Sequence, residues 1–274
     1  MILLRRSDER RHERRRRLEA WHTFPAASAT AALADGFGVL TSLDEHRLAP
    51  GAAIPRHSRH SAEVVTYVRQ GTLVREDSTG VSSLVRAGEF HRMSVGPDLR
   101  HHEVNPSPTA STHVFQLWLR PVGSAIGSDP EQKRFSTAER RHGLCVVASP
   151  DLRRGSLRLD QEVLIFSALL GPGQHLIHPL ATDRSAWLHL VAGAVTFDEL
   201  ILDAGDGAAI TAERSVSMTA REESEILLLD LPAPQRVVGE SRRVAATTLP
   251  DGLRDHDERV DDRLDRLDGT GGST

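Results

Sequence analysis

The sequence predicts an all-β chain built from two successive copies of one sandwich or barrel. Two observations carry this reading. Short apolar stretches recur between turn residues, and the second half of the chain repeats the pattern of the first. The first copy runs from about Gly36 to Leu119. Its apolar stretches are Glu63–Val68, Gly71–Val74 and Thr112–Leu119. Between them stand Pro50-Gly51, Gln70-Gly71, Ser78-Thr79-Gly80, Ala87-Gly88, Gly96-Pro97 and Asn105-Pro106, each suited to turning the backbone.

Residues 121–135 are rich in proline, glycine and serine and read as a linker. A second β-rich stretch follows from about Leu144 to Leu231. Tyr67–Val74 has its counterpart in His189–Thr196, and Val85–Glu89 in Leu202–Asp206. Repetition on this scale means two copies of one unit. The tail after Leu231 is polar and charged. Within it Leu253, Val260, Leu264 and Leu267 fall at helical spacing before Gly269, so it reads either as a docking helix or as a disordered tail.

Composition narrows the function. The net charge of −4 over 274 residues gives no global reason to expect nucleic-acid binding. One cysteine, Cys145, excludes an internal disulfide framework and fits a reducing compartment. No run of about 18 apolar residues exists, so no membrane span is expected. Met1–Leu4 is too short for a signal segment. The expectation is a soluble, cytoplasmic protein. Residues 5–17 hold eight arginines with Asp8, Glu9 and Glu13 among them. Broken by acids and without an aromatic for base stacking, this run reads as a solvated segment rather than a nucleic-acid arm.

One set of residues carries chemistry. His57 and Arg59 follow Gly51, and His101 and Glu103 follow Gly88 and Gly96. The strand period puts 57 with 59 on one face and 101 with 103 on another. If the two segments neighbour each other in a barrel, His57, Arg59, His101 and Glu103 converge inside it, while His60 and His102 point away.

This pattern resembles the cupin motif pair, and the chain is similar to the pirin family of bicupins. The resemblance rests on Arg5-Arg6-Ser7, Glu9-Arg10, Trp21–Phe24, Leu48–Gly51, Glu63–Val68, Asp77-Ser78, Ala87–Phe90, Met93-Ser94, Arg100-His101, Asn105–Ser107 and Gln116–Trp118. It continues through Glu131–Phe135, Ala148–Asp151 and Leu229–Pro232, covering about residues 1–232. It implies an all-β fold of two tandem cupin (jelly-roll) barrels packed together, a bicupin. The division it suggests is residues 1–135 for a first barrel with the pocket, 136–232 for a second without metal ligands, and 233–274 for the tail.

The resemblance also implies one iron site, held by three histidines and a glutamate. His57, His101 and Glu103 match that set, and Arg59 occupies the fourth position. Two histidines and one carboxylate still match the facial triad of non-haem iron oxygenases, so Fe(II) or another divalent cation remains one reading. A guanidinium opposes it. At about 4 Å and an effective dielectric near 20, a unit charge facing a divalent cation costs roughly 8 kcal/mol. In the other reading Arg59 pairs with Glu103 in place of a metal, and the pocket does acid/base work.

In the second copy the equivalent positions are Met218 and Ala220, which offer no hard donor for iron. His175, His178 and His189 then read as satisfied structural histidines with no carboxylate placed beside them. Glu63 reads as an exposed strand residue or a support for the ligands, Asn105 as a brace for the turn after Glu103, and Cys145 as a buried strand residue.

Two functions follow. In the first, the N-terminal barrel binds a flat aromatic or polyketide-like molecule and transforms it. That is quercetin 2,3-dioxygenase-like oxidation with a metal, or isomerisation or cyclisation without one. In the second, resemblance to regulatory pirins implies a non-enzymatic protein that binds a transcription factor or metabolic enzyme. Four polar groups facing into one barrel are costly to bury without a purpose, which favours the first.

Overall fold

A computed structural model describes residues 1–24, 33–55, 61–78, 80–96, 101–121 and 129–233. Strands fill most of it, in four sheets. In the first half a seven-stranded sheet has the order Glu131–Arg134, Glu89–Val95, Ala62–Gln70, Thr112–Leu119, Leu40–Leu48, Leu18–His22, Arg11–Arg15. A four-stranded sheet has the order Ala53–Ile54, His101–Val104, Thr72–Asp77, Ser82–Arg86. The second half repeats this. Its seven-stranded sheet runs Ile2–Arg5, Gly207–Thr211, Arg184–Ala192, Ser224–Pro232, Leu164–Leu170, Cys145–Ser149, Leu157–Arg158. Its four-stranded sheet runs His175–Pro179, Ser215–Ala220, Ala194–Phe197, Leu200–Asp203.

The repeat extends to single backbone positions. Gly71 and Gly193 both turn a strand into the next at positive φ, 78° and 80°. A Cβ on either would lie 2.4–2.5 Å from a carbonyl oxygen, that of Ser111 or of Glu223. Only glycine fits such a turn.

Strand parity decides what each sheet face meets. From the first seven-stranded sheet, Leu43, Val65, Tyr67, Phe115 and Leu117 pack with Ile165, Trp187, Leu227 and Leu229 of the second in one apolar cluster. The alternate residues turn into the half's own interior. There Leu48, Val68 and Val114 meet Ile54, Leu73 and Val85 of the four-stranded sheet.

Charged networks are buried between the halves. Glu45 accepts from Arg10 and pairs with His113, both at 2.8 Å. Burial alone would raise its carboxyl, but the His113 hydrogen bond and the Arg10 charge bring it down to about 2. Glu225 takes Tyr67 Oη and Arg140 Nη2 at 2.5 Å and Arg69 Nε at 2.8 Å. The fully buried His189 has no hydrogen-bond partner for either ring nitrogen among the described residues. Burial, with Arg10 adding to it, drops its pKa to about 3, so the ring is neutral.

These values set the acid response. The unfolded chain takes a proton at His189 below pH 6.5 and the folded chain only near 3, so stability falls as pH drops through that window. The Glu45 contribution is complete above about pH 4.5 and is lost toward pH 2. Denaturant unfolding at pH 7 and pH 5 should therefore differ, and His189→Leu should remove about 2 kcal/mol of that difference. An unchanged difference would refute this role for His189.

Several expectations change. The arginine-rich N-terminus is not merely a solvated segment. Ile2–Arg5 pairs with Gly207–Ile210 of the second half's sheet, and Arg11–Arg15 forms a hairpin with Leu18–His22. Arg5 and Arg10 are buried, although Arg11–Arg15 is largely exposed, as its charges favour. The linker expected over 121–135 ends in a strand, Glu131–Arg134, paired with Glu89–Arg92, and Phe135 is buried in the core. Ile2–Arg5 joins the far sheet across the expected 135/136 division. The helix expected in the tail lies outside the described residues. Among the described residues no helix is long and apolar enough to cross a membrane.

Candidate active site in the first barrel

The interior of the first half carries a polar row where the second half is apolar. Strand register aligns Asp44, Gln116, Thr66 and His91 side by side across the inner face of the seven-stranded sheet. The same register in the second half aligns Phe166, Leu228, Leu188 and Ala208. Opposite the polar row, the four-stranded sheet sets Glu103 beside Arg75. In the second half Phe197 stands beside Met218 and Val195 beside Ala220, all within one apolar cluster. The second half thus has no counterpart to the polar interior, and Met218 and Ala220 are buried as its packing.

Glu103 is the centre of the arrangement. It is 2 % exposed. Gln116 Nε2 donates to its Oε2 at 2.8 Å, His101 Nε2 lies 4.0 Å from the same oxygen, and Arg75 Nη1 lies 4.0 Å from Oε1. Burial pushes the carboxyl up, but Arg75, then His101, the Gln116 hydrogen bond and His46 outweigh it and hold the acid below its usual range. His91 is neutral. Burial, reinforced by Arg75, lowers it to about 4. His101 lies over Trp118, ring centroids 6.4 Å apart.

Several buried polar atoms here have no hydrogen-bond partner among the described residues: both Arg75 Nη atoms, Glu103 Oε1, Gln116 Oε1, Thr66 Oγ1 and His91 Nδ1. Each such atom costs about 1–3 kcal/mol if left unmet. A cluster of them, drawn from the two sheets that face each other across one barrel interior, is the pattern expected of a ligand site.

Of the four residues singled out in sequence, the structure brings His101 and Glu103 together. His57 and Arg59 lie outside the described residues. The arginine that the structure does set beside Glu103 is Arg75, from the neighbouring strand, and sequence reading missed it. His46, His91, Gln116 and Thr66 were missed as well. The signal for three of them was present: Arg75 shares parity with Leu73, Thr66 interrupts Val64–Val68, and Gln116 interrupts Val114–Trp118.

Other expectations are corrected. Glu63 is not an exposed strand residue. It is buried, pairs with Arg92 at 2.8 Å and accepts from the Asp160 amide. A carboxylate does stand beside a second-half histidine, since His178 Nε2 meets Asp230 Oδ2 at 2.8 Å. Among the described residues His189 has no hydrogen-bond partner, where the sequence suggested a satisfied histidine. Asn105 does brace its turn, donating to the carbonyls of Leu48, Ala49 and Ala110 and accepting from the Ser107 amide. Cys145 opens a strand half-buried, and burial pushes its thiol up, away from reactivity.

Comparison with known proteins fits this architecture. Residues 7–119 match the family described as Pirin, and residues 146–231 match the Quercetinase C-terminal cupin domain. A quercetin 2,3-dioxygenase of Escherichia coli K12 is 36 % identical over 232 residues, covering 85 % of this chain and 99 % of that protein. The chain belongs to the pirin family. A pirin-like protein of Caulobacter vibrioides is 33 % identical over 218 residues, 78 % of this chain and 92 % of its own length. The crystal structure of the bacterial pirin YhhW from Escherichia coli in complex with nickel(II) superposes with a TM-score of 0.78 at 36 % identity. It covers 85 % of this chain and all of that one. This pirin is therefore a bicupin, and each half described above is one cupin barrel.

The residues at Glu103 suit a divalent cation in kind. His101 offers an imidazole nitrogen, and Glu103 offers an oxygen, Oε1, that takes no hydrogen bond from the described residues. Arg75 opposes such an ion, because a fixed positive charge stands 4.0 Å from that oxygen.

Proposed function

We propose that the first barrel of this pirin oxidises a flat, phenolic small molecule with dioxygen, in the manner of a quercetin 2,3-dioxygenase. One observation carries the reading. Around Glu103 the first barrel buries a set of polar atoms that have no hydrogen-bond partner among the described residues, where the second barrel is packed with apolar side chains. The names of the E. coli relatives, and the nickel(II) complex of one of them, support it.

His101 and Glu103, with His57 as the third donor, would hold the metal, Fe(II) or another divalent ion. Such an ion would supply Lewis-acid chemistry, polarising substrate oxygen atoms for reaction with dioxygen. The chain's own residues do the rest. Gln116 fixes Glu103 by its Oε2, leaving Oε1 to accept a phenolic proton. Arg75 keeps that carboxylate ionised before the proton arrives. His91, neutral, offers the substrate a hydrogen bond without adding charge. Trp118 and His101 give a planar ring a stacking wall. Residues 1–135 would house this chemistry, 136–232 would support it, and 233–274 would take no part.

The expected result is oxygen uptake with quercetin by protein loaded with nickel(II) or iron(II), one dioxygen per flavonol consumed. No uptake with any divalent metal would overturn the oxidative reading. The placement of Arg75 at Glu103 would then favour the second one, metal-free proton transfer between Glu103 and His101 in an isomerase or cyclase.

A further inference from the structure

A second site lies away from the barrel interior, at the edge of the first seven-stranded sheet. A concavity of about 470 Å³ opens there, lined among the described residues by Arg14, Arg15, Arg16, Arg17, Arg47 and Arg69. Glu19 is the one carboxylate among those lining residues. We propose that this groove binds a compact polyanion of the polyphosphate class, such as the triphosphate of a nucleotide or an inorganic polyphosphate.

Sequence and fold together force the charges into one place. Strand pairing Arg11–Arg15 with Leu18–His22 leaves Arg16 and Arg17 as the two-residue turn. The hairpin is the edge of its sheet, so its arginines stand beside the ends of the Arg47 and Arg69 strands. The nearby acids do not balance them. Arg14 lies 3.3 Å from Glu19 and Arg15 3.5 Å from Glu13. Glu13 also serves Arg11. Arg47 reaches Glu45 at 3.5 Å, but that carboxylate already serves Arg10 and His113. Arg69 shares Glu225 with Arg140. Arg17 donates to the Pro50 carbonyl, and Arg16 has no ion pair among the described residues. Guanidinium groups held in one concavity repel each other, and a multiply charged ligand relieves that repulsion with paired, forked hydrogen bonds.

The chemistry of the rim selects phosphate groups over bases. Trp21 is the nearest aromatic on the hairpin. His12 stacks on it with centroids 4.7 Å apart and an interplanar angle of 8°, and Arg47 covers it at 5.0 Å. That ring is not free to stack a nucleobase. The volume lies within the roughly 300–1,000 Å³ of small-molecule sites, which suits a compact ligand better than a duplex. The groove shares no residue with the Glu103 site, so the proposal stands apart from the oxidative reading.

Isothermal titration of the full chain with sodium tripolyphosphate, ATP, citrate and a 20-base-pair duplex tests it. Tripolyphosphate should bind, and binding should weaken as salt rises from 50 to 300 mM. Arg14→Ser/Arg16→Ser should weaken it at least tenfold without moving the thermal midpoint, since Arg14 is 78 % exposed in its side chain. Equal affinity for ATP points to free polyphosphate as the source, and tenfold tighter ATP binding points to a nucleotide. Three results would overturn the proposal. They are no binding of tripolyphosphate or ATP, citrate binding as tightly as tripolyphosphate, and a double substitution without effect.

Discussion

Replacing Arg75 with methionine is expected to tighten nickel(II) binding at least tenfold and to destabilise the metal-free chain by about 3–5 kcal/mol. Both effects come from one charge. Arg75 is 5 % exposed, stands opposite Glu103 in the strand register and has two Nη atoms without hydrogen-bond partners among the described residues. With a divalent cation on Glu103, its guanidinium is a like charge in a poorly screened interior. At roughly 6 Å and an effective dielectric near 20 the repulsion is about 5 kcal/mol. Removing it favours the metal. Without a metal the roles reverse, because Arg75 is the largest influence holding Glu103 ionised against its burial. Methionine then leaves a buried carboxylate uncompensated. Arg75→Lys keeps the charge and should keep the weak metal affinity. Nickel(II) affinity unchanged in Arg75→Met would show that the arginine does not oppose the ion.

Replacing Glu103 with glutamine is expected to lower flavonol turnover by about 10²–10⁴-fold, the range spanned by a lost acid–base group. It should also weaken metal binding. The shape is nearly unchanged, so the loss reports charge and basicity. Stability should fall too, since Arg75 is left as the uncompensated charge. The pair can be separated from its chemistry. Glu103→Gln/Arg75→Met should regain most of the stability and none of the turnover, and a cycle over the four proteins measures the coupling.

The two-barrel architecture was legible because strand parity and turn glycines are local signals. Tyr67–Val74 and His189–Thr196 align on a shared glycine with apolar Val68/Leu190 and Leu73/Val195 at equivalent positions, and Gly71 and Gly193 make the same turn. The absence of hard donors at Met218 and Ala220 could be counted from Gly205 alone. What stayed hidden depends on which strands lie opposite each other. Arg75 meets Glu103 because Thr72–Asp77 pairs with His101–Val104 in one register. His46 and His91 come from strands far apart in sequence. His189 reads as an ordinary strand histidine until the second seven-stranded sheet is packed on the first, which buries it with no hydrogen-bond partner among the described residues. The strand at Glu131–Arg134 was hidden by polar residues suited to a sheet edge. The arginine hairpin was hidden for the same reason.

The central claim is that the polar interior of the first barrel, and not the second barrel, performs the reaction. Oxygen uptake with quercetin, measured on metal-loaded wild-type chain, on Glu103→Ala and on His175→Ala, tests it most directly. Glu103→Ala gives the first barrel the side chain that Ala220 gives the second, and His175 is an exposed second-barrel histidine. Uptake lost in Glu103→Ala and retained in His175→Ala is the predicted result. Full uptake in Glu103→Ala would contradict the account.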